Sequence, residues 1–314
     1  MTIVTRRREV LTAGLALGLA GLLPMPGFAQ QSGDGILVRH ARGETRLTKP
    51  VRKVLVFDMA ALDTLDSLGV PVAGVPTGQK PAHLAKYNGA PYAPIGTLFE
   101  PDYEAVNAAE PDLIIVGGRS APKYAELAAI APTIDMTVRT DSFIASAVEN
   151  AQTLGRIFGK DAEVDAKVKH LRASITDLKA TAAAAGKGLL ILTTGGKVSA
   201  YGPGSRFGLL HTDYGVRPAV ETLEVANHGQ AVSFEFILQA NPDWLFVIDR
   251  DAAIGREGQS ARQLLDNDIV RRTTAWQKGQ VAYLNAGNWY LVGGGLAAMQ
   301  QDVDDIKAAL SGKS

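Results

Sequence analysis

The fold is decided by a stretch that occurs twice, DYEAVNAAEPDLIIVGGR (residues 102–119) and SFEFILQANPDWLFVIDR (residues 233–250). Superimposed, Glu104 meets Glu235, Pro111-Asp112 meets Pro242-Asp243, and Arg119 meets Arg250. Each copy reads as a short amphipathic helix carrying the Glu. A Pro-Asp turn stops it, because Pro cannot continue a helix and the residue before it is pushed out of the α region. A continuous apolar run follows (Leu113–Val116, Trp244–Ile248), which suits a parallel strand buried on both faces. An Arg stands just past the strand's carboxyl end, where open α/β sheets bind ligands. The pattern predicts two similar α/β lobes, each aiming an Arg at a site.

The rest of the chain fits that plan. Its 314 residues allow two domains. From Asp141 to Ala184 the pattern is helical, broken near Phe158-Gly159, with Ser142 as a candidate cap. Val164, Val168, Leu171, Ile175 and Leu178 recur at three and four residues and give the second helix one apolar face. That helix is expected to join the lobes. The expected division is an export signal over 1–29, an N-terminal lobe over 30–158, a linker over 159–185 and a C-terminal lobe over 186–314. A hairpin is expected around Ala41–Glu44, strands at 54–57 and 281–284, and helices at 59–68 and 261–265. Residues 193–206 (TTGGKVSAYGPGSR) and 250–258 are expected as loops.

Composition excludes several chemistries. There is no Cys, hence no disulfide, thiol nucleophile, Cys-ligated zinc or lipidated Cys. The first 29 residues hold Arg6, Arg7, Arg8 and Glu9, so the remainder carries 29 basic and 31 acidic residues. That balance gives no electrostatic case for nucleic acid or an anionic membrane. Arg6–Arg8, the apolar run Val10–Leu23 and the small-residue end at Ala29 have the order of a cleavable export signal. Arg7-Arg8-Glu9-Val10-Leu11 resembles the twin-arginine type. The mature protein is expected to be soluble in the periplasm, cleaved near Ala29.

Enzyme signatures are absent. The Gly-rich loop at 195–208 lacks nucleotide-cradle spacing, no G-x-S-x-G occurs, and no two of the five His share H-E-x-x-H spacing. Arg119, Arg206 and Arg250 stand at loop positions, and Arg suits planar anions through its forked donors.

On the segments FDMAALDTLDSLGV (57–70), EPDLIIVGGR (110–119), YGPGSRFG (201–208), NHGQAVSFEFIL (227–238), NPDWLFVIDR (241–250) and NWYLVGGGL (288–296), the chain resembles a known family. These are the periplasmic substrate-binding proteins of ABC importers for ferric siderophores, in the catecholate-binding branch. The similarity runs from about Ile36 to the C-terminus. It implies two Rossmann-like α/β lobes joined by a single long helix, with the ligand in the cleft between them. It implies a non-enzymatic monomer without an intrinsic cofactor, taking ferric iron only as a siderophore complex and delivering it to an inner-membrane permease. Arg119, Arg206 and Arg250 would hold the anionic complex. His228 and Tyr290 would reach the iron where a four-donor siderophore leaves two octahedral positions open; imidazole and phenolate suit that metal. Some members use a Lys a few residues past the first Arg; here Pro122 falls at that point, with Lys123 beside it. Glu104 and Glu235 would dock into basic pockets of the permease. Two alternatives remain at this stage. One is the same architecture for haem, a corrinoid or another chelate. The other is an exported metal-dependent hydrolase using His83, His211 and His228.

Overall fold

The computed structural model describes residues 35–226 and 228–312; the expected export signal lies outside the described residues. The chain enters through an antiparallel hairpin, β1 (Ile36–His40) and β2 (Gly43–Leu47), which turns at the expected place. A five-stranded parallel sheet follows: β3 (Val54–Val56), β4 (Gly74–Val75), β5 (Ala93–Pro94), β6 (Leu113–Val116) and β7 (Thr133–Asp135), in the order β5-β4-β3-β6-β7. Helices α1 (Met59–Ser67), α2 (Tyr103–Ala108) and α3 (Tyr124–Ala128) connect these strands. Every residue of β3 and β6 is buried, which is why both read as unbroken apolar runs.

Two long helices, α4 (Phe143–Phe158) and α5 (Asp161–Ala184), come next. Gly159 ends α4 at φ +65°, and its N–H bonds the Gly155 carbonyl, a left-handed stop that suits glycine. The expected apolar face of α5 is buried from Val164 to Leu178 and continues to Ala182. Ser142 does not cap α4. Its hydroxyl donates to Asp141 Oδ1 at 2.8 Å and accepts from Arg139 Nε at 3.1 Å.

The second sheet contains β8 (Lys187–Thr194), β9 (Lys197–Tyr201), β10 (Arg217–Pro218), β11 (Gln230–Val232), β12 (Trp244–Asp249) and β13 (Val281–Tyr283). Its order is β11-β9-β8-β12-β13, with β10 also pairing β8. The parallel core β8, β12, β13 matches β3, β6, β7 of the first sheet. Helices α6 (Leu209–Thr212), α7 (Phe234–Ala240), α8 (Arg250–Ala253), α9 (Ala261–Leu265), α10 (Thr274–Gln277) and α11 (Leu296–Leu310) complete the chain.

Two further expectations are corrected here. Much of the Gly-rich stretch is the hairpin β8–β9, turned by Gly195 and Gly196 at φ +53° and +75°; two adjacent glycines supply the positive φ that a tight hairpin needs. Arg250 opens α8 rather than a loop, because Asp249 Oδ1 accepts from Ala252 N and caps it. Residues Gly287–Val292 form a π-helix.

The doubled unit is also doubled in its backbone. Glu110 and Asn241, each preceding the repeat's Pro, are the non-glycine residues with positive φ (46° and 39°) among the described residues. Asp112 Oδ2 accepts from Arg52 N and Lys53 N, both at 2.9 Å, and Asp243 Oδ2 accepts from Lys187 N at 2.8 Å. Each Pro-Asp therefore fastens the start of the neighbouring parallel strand, β3 or β8.

The last helix returns to the first half. Helix α11 packs on α1, α4 and α5. Its first amides are received by α1: Asp63 Oδ2 accepts from Ala297 N at 2.8 Å and Ala298 N at 3.2 Å, and Thr64 Oγ1 accepts from Leu296 N at 3.2 Å. One apolar cluster consequently runs from β3 and α1 through α5 to β8, Trp289 and α11. Each fully buried Leu or Ile in it contributes about 1.5–3 kcal/mol.

Candidate functional site

The carboxyl ends of β6 and β12 and the loop after β9 each deliver one Arg. After β6 the chain turns through Gly117 and Gly118. Ser120 Oγ donates to the Phe57 carbonyl at 3.1 Å and accepts from Gly117 N at 3.0 Å, and Thr137 Oγ1 accepts from Gly118 N at 3.0 Å. Ser120 is fully buried, so this loop is held to the first sheet and Arg119 projects from a fixed base. In the second half Ser205 closes the turn before Arg206 by donating to the Gly202 carbonyl at 2.6 Å. Asp249 Oδ2 accepts from Ala261 N at 2.8 Å and steadies the start of α8, where Arg250 stands.

All three guanidinium groups meet Tyr290. Arg119 Nη2 and Arg206 Nη2 each donate to its backbone carbonyl at 2.6 Å, and Arg250 Nε donates to its hydroxyl at 2.8 Å. Their central carbons lie 5.2, 4.6 and 5.3 Å from the ring centroid, within cation–π range. The π-helix that carries Tyr290 is a rare element, and single π turns often mark functional positions. Arg250 also donates to Thr194 Oγ1 at 3.2 Å and lies 3.8 Å from Asp251. Arg119 and Arg206 form no ion pair with any carboxylate among the described residues. Burial, with Arg119 beside it, lowers the pKa of Arg206. Burial alone would raise the Tyr290 phenol; the bond from Arg250 and the three positive charges outweigh it and lower its pKa.

Beside this cage lies a cavity of about 150 Å³, lined from one half by Leu98, Arg119, Val138 and Phe143 and from the other by Arg206, Phe207, Trp289 and Tyr290. Asp58 joins its wall, and sequence reasoning missed it. As N-cap of α1 it accepts from Ala61 N at 2.8 Å, and burial pushes its carboxyl up to about 6 against the pull of Arg119. A Cβ at Gly117 would lie 2.8 Å from the Asp58 carboxyl carbon, so this position requires glycine. An Asp directly after a buried strand and before an apolar helix was the available signal. Thr194, which bonds Arg250, was likewise missed because it lay in the supposed loop.

The remaining candidates stand apart from the cavity. Lys123 Nζ is 3.0 Å from Glu100 Oε2 and does not line the cavity. His228 is exposed in the turn before β11 and does not line it either. Its neighbour Gly229 lies against the Tyr201 ring, and Tyr201 is within electrostatic reach of Arg206, Tyr290 and Arg250. Glu104 and Glu235 are exposed in the first turns of α2 and α7. The hydrolase residues are dispersed. His83 Nε2 is 2.7 Å from Asp63 Oδ1, and His211 Nδ1 is 2.8 Å from the Val216 carbonyl. No group of three His, Asp or Glu able to hold a metal occurs among the described residues.

Two α/β lobes, a long helix beside them and a cationic site at their strand ends define a two-lobe solute-binding protein. Residues 54–286 match the periplasmic binding protein family, and the chain belongs to it. It is 43% identical over 282 residues to the petrobactin-binding protein YclQ of Bacillus subtilis, covering 88% of this chain and 89% of that one. The crystal structure of YclQ superposes with a TM-score of 0.85 at 42% identity, over 88% of this chain and 98% of the other. The ferric-anguibactin-binding protein FatB of Vibrio anguillarum is 32% identical over 86% of each chain. The periplasmic catecholate-siderophore binding protein VctP of Vibrio cholerae gives a TM-score of 0.82 at 34% identity, over 87% of this chain and 99% of that one. The family is one of binding proteins, not enzymes. Among the described residues no helix is long and apolar enough to cross a membrane.

Proposed function

We propose that this protein is exported, captures a ferric siderophore of the catecholate type between its lobes, and hands it to an ABC permease. The observation that carries this reading is the cage of Arg119, Arg206 and Arg250 around Tyr290. Three positive charges at one point repel, and a multiply negative chelate relieves that repulsion while taking charge-assisted hydrogen bonds. The ligands named for YclQ and VctP agree with it.

In this reading Arg119, Arg206 and Arg250 hold the anionic complex, and Lys123 exchanges Glu100 for it at the rim. Tyr290, with its acidified phenol, and His228 supply oxygen and nitrogen to the iron when the siderophore offers four donors. Glu104 and Glu235 bind basic pockets of the permease. Lobes 30–158 and 186–314 move as units about the linker 159–185, and their contact through α11 keeps closure small. The protein works as a monomer.

The test is a titration of purified protein with ferric catecholates at micromolar concentration. Trp289 lines the cavity, so bound iron complex is expected to quench tryptophan fluorescence. Absence of quenching by every ferric complex tried contradicts the reading. A Soret band on addition of haem, with no quenching by catecholates, assigns the cleft to haem instead.

A further inference from the structure

We propose that the backbone carbonyls of Tyr290 and Leu291 set the specificity of the Arg cage, by competing with the ligand for its donors so that only a multiply negative chelate displaces them. This rests on the reading above, in which Arg119 and Arg206 hold the anionic complex.

Two guanidinium groups share one oxygen. Arg119 Nη2 and Arg206 Nη2 both donate to the Tyr290 carbonyl at 2.6 Å, and Arg119 Nη1 reaches the Leu291 carbonyl at 3.4 Å. A carbonyl oxygen has two lone pairs, so these two donors saturate it. Neither Arg has a carboxylate partner within ion-pair distance among the described residues. The acceptor that engages both is therefore a neutral backbone oxygen.

These carbonyls are available because the helix ends under them. Gly293, at φ +68°, turns its N–H back to the Asn288 carbonyl at 2.7 Å. Leu296 N, which a longer π-helix would aim at the Leu291 carbonyl, donates instead to Thr64 Oγ1 at 3.2 Å. Tyr290 and Leu291 thus present the orphan carbonyls of a helix C-terminus, its partly negative end.

An ionised ligand oxygen makes a stronger bond to guanidinium than a carbonyl does, because both partners are then charged. The displaced carbonyl is not stranded. Tyr290 is half-buried, and water satisfies carbonyls at helix ends. Engaged donors lower the apparent affinity for every anion by the fraction of cages that are free. A singly charged anion has little affinity to lose and stays off the site. A multiply negative chelate, held by several donors at once, still binds. The internal acceptor thereby sets a charge threshold for entry.

The first experiment replaces Leu291 by its α-hydroxy acid, leucic acid, through nonsense suppression. The Tyr290–Leu291 amide becomes an ester, whose carbonyl is a weaker acceptor, and every side chain is kept. Fluorescence titration with the ferric complex of 2,3-dihydroxybenzoate is expected to show binding about three- to tenfold tighter than wild type. Inorganic phosphate is expected to compete at correspondingly lower concentration. A damaged turn would loosen binding, so the direction of the change separates a competitor from a support. Unchanged or weaker binding by an ester variant that melts cooperatively overturns the proposal.

The second measurement leaves the backbone intact. NMR-active isotopes at the Tyr carbonyl carbon and the Leu amide nitrogen together mark two peptide bonds, Tyr283–Leu284 and Tyr290–Leu291. The signal lost in Tyr290→Phe identifies the second. Binding of the diamagnetic gallium complex of 2,3-dihydroxybenzoate is expected to move the Tyr290 carbonyl resonance upfield, as its Arg donors leave. A resonance that stays in place while the complex binds overturns the proposal. If wild type binds no ferric complex, the functional reading itself falls, and this inference with it.

Discussion

Arg250 and Tyr290 are joined side chain to side chain, Nε to Oη, at 2.8 Å. That bond ties the start of α8 to the π-helix and acidifies the phenol. Removing the Arg250 guanidinium takes away one donor and one positive charge, both of which favour phenolate. Arg250→Gln is therefore expected to raise the pKa of Tyr290. Ultraviolet titration checks this, with Tyr290→Phe as the blank that isolates one of the eight tyrosines. If Tyr290 reaches the iron, Tyr290→Phe also shifts the visible charge-transfer band of a bound four-donor ferric complex.

Arg206 donates to the Tyr290 carbonyl and lies against the rings of both Tyr290 and Phe207. A hydrogen bond to a charged group is worth about 1.5–3 kcal/mol. Arg206→Gln is expected to weaken binding of an anionic ferric catecholate by about 10–100-fold. Arg206→Lys is expected to restore only part of it, since an ammonium has neither the fork nor the flat face. Fluorescence titration measures both.

Asp63 tests the junction between the first half and the last helix. It is 1% exposed, accepts from two α11 amides and contacts His83. Asp63→Ala leaves those amides without a side-chain acceptor and is expected to cost about 2 kcal/mol. Urea unfolding should show a lower midpoint with an unchanged slope.

Asp58 gives a pH signature. Its carboxyl is raised from 3.8 to about 6 by burial. A carboxyl raised on folding binds its proton more tightly in the native state, so stability falls as pH rises between about 4 and 6. Asp58→Asn keeps the helix cap, because Asn caps as well as Asp, and removes the titration. Its melting temperature relative to wild type is therefore expected to be higher at pH 7 than at pH 4.5. An equal difference at both pH values counts against a buried, raised carboxyl.

The scaffold was legible wherever one periodic signal had no competitor. The doubled Glu–Pro-Asp–Arg unit located β6 and β12 because strands buried on both faces leave unbroken apolar runs. The three- and four-residue spacing from Val164 to Leu178 gave the buried stripe of α5. Glycine was ambiguous. Gly195-Gly196 suggested a flexible loop, yet two positive-φ residues between β-formers also make the hairpin that brings β9 to β8. The π-helix has no periodicity of its own, so Tyr290 was found by motif and its meeting with three Arg only in three dimensions. Asp63 and Asp58 looked like ordinary residues of a helix and its cap. Their weight comes from contacts with α11 and with the cavity, more than two hundred residues away in the first case.

The most direct measurement compares two ferric complexes of similar size by fluorescence titration, one an anionic tris-catecholate and the other a neutral tris-hydroxamate. The guanidinium cage predicts that wild type binds the anionic complex at least about a hundredfold more tightly, and that Arg206→Gln loses most of that preference. Equal affinity for the two complexes, or a preference that survives the substitution, contradicts the account.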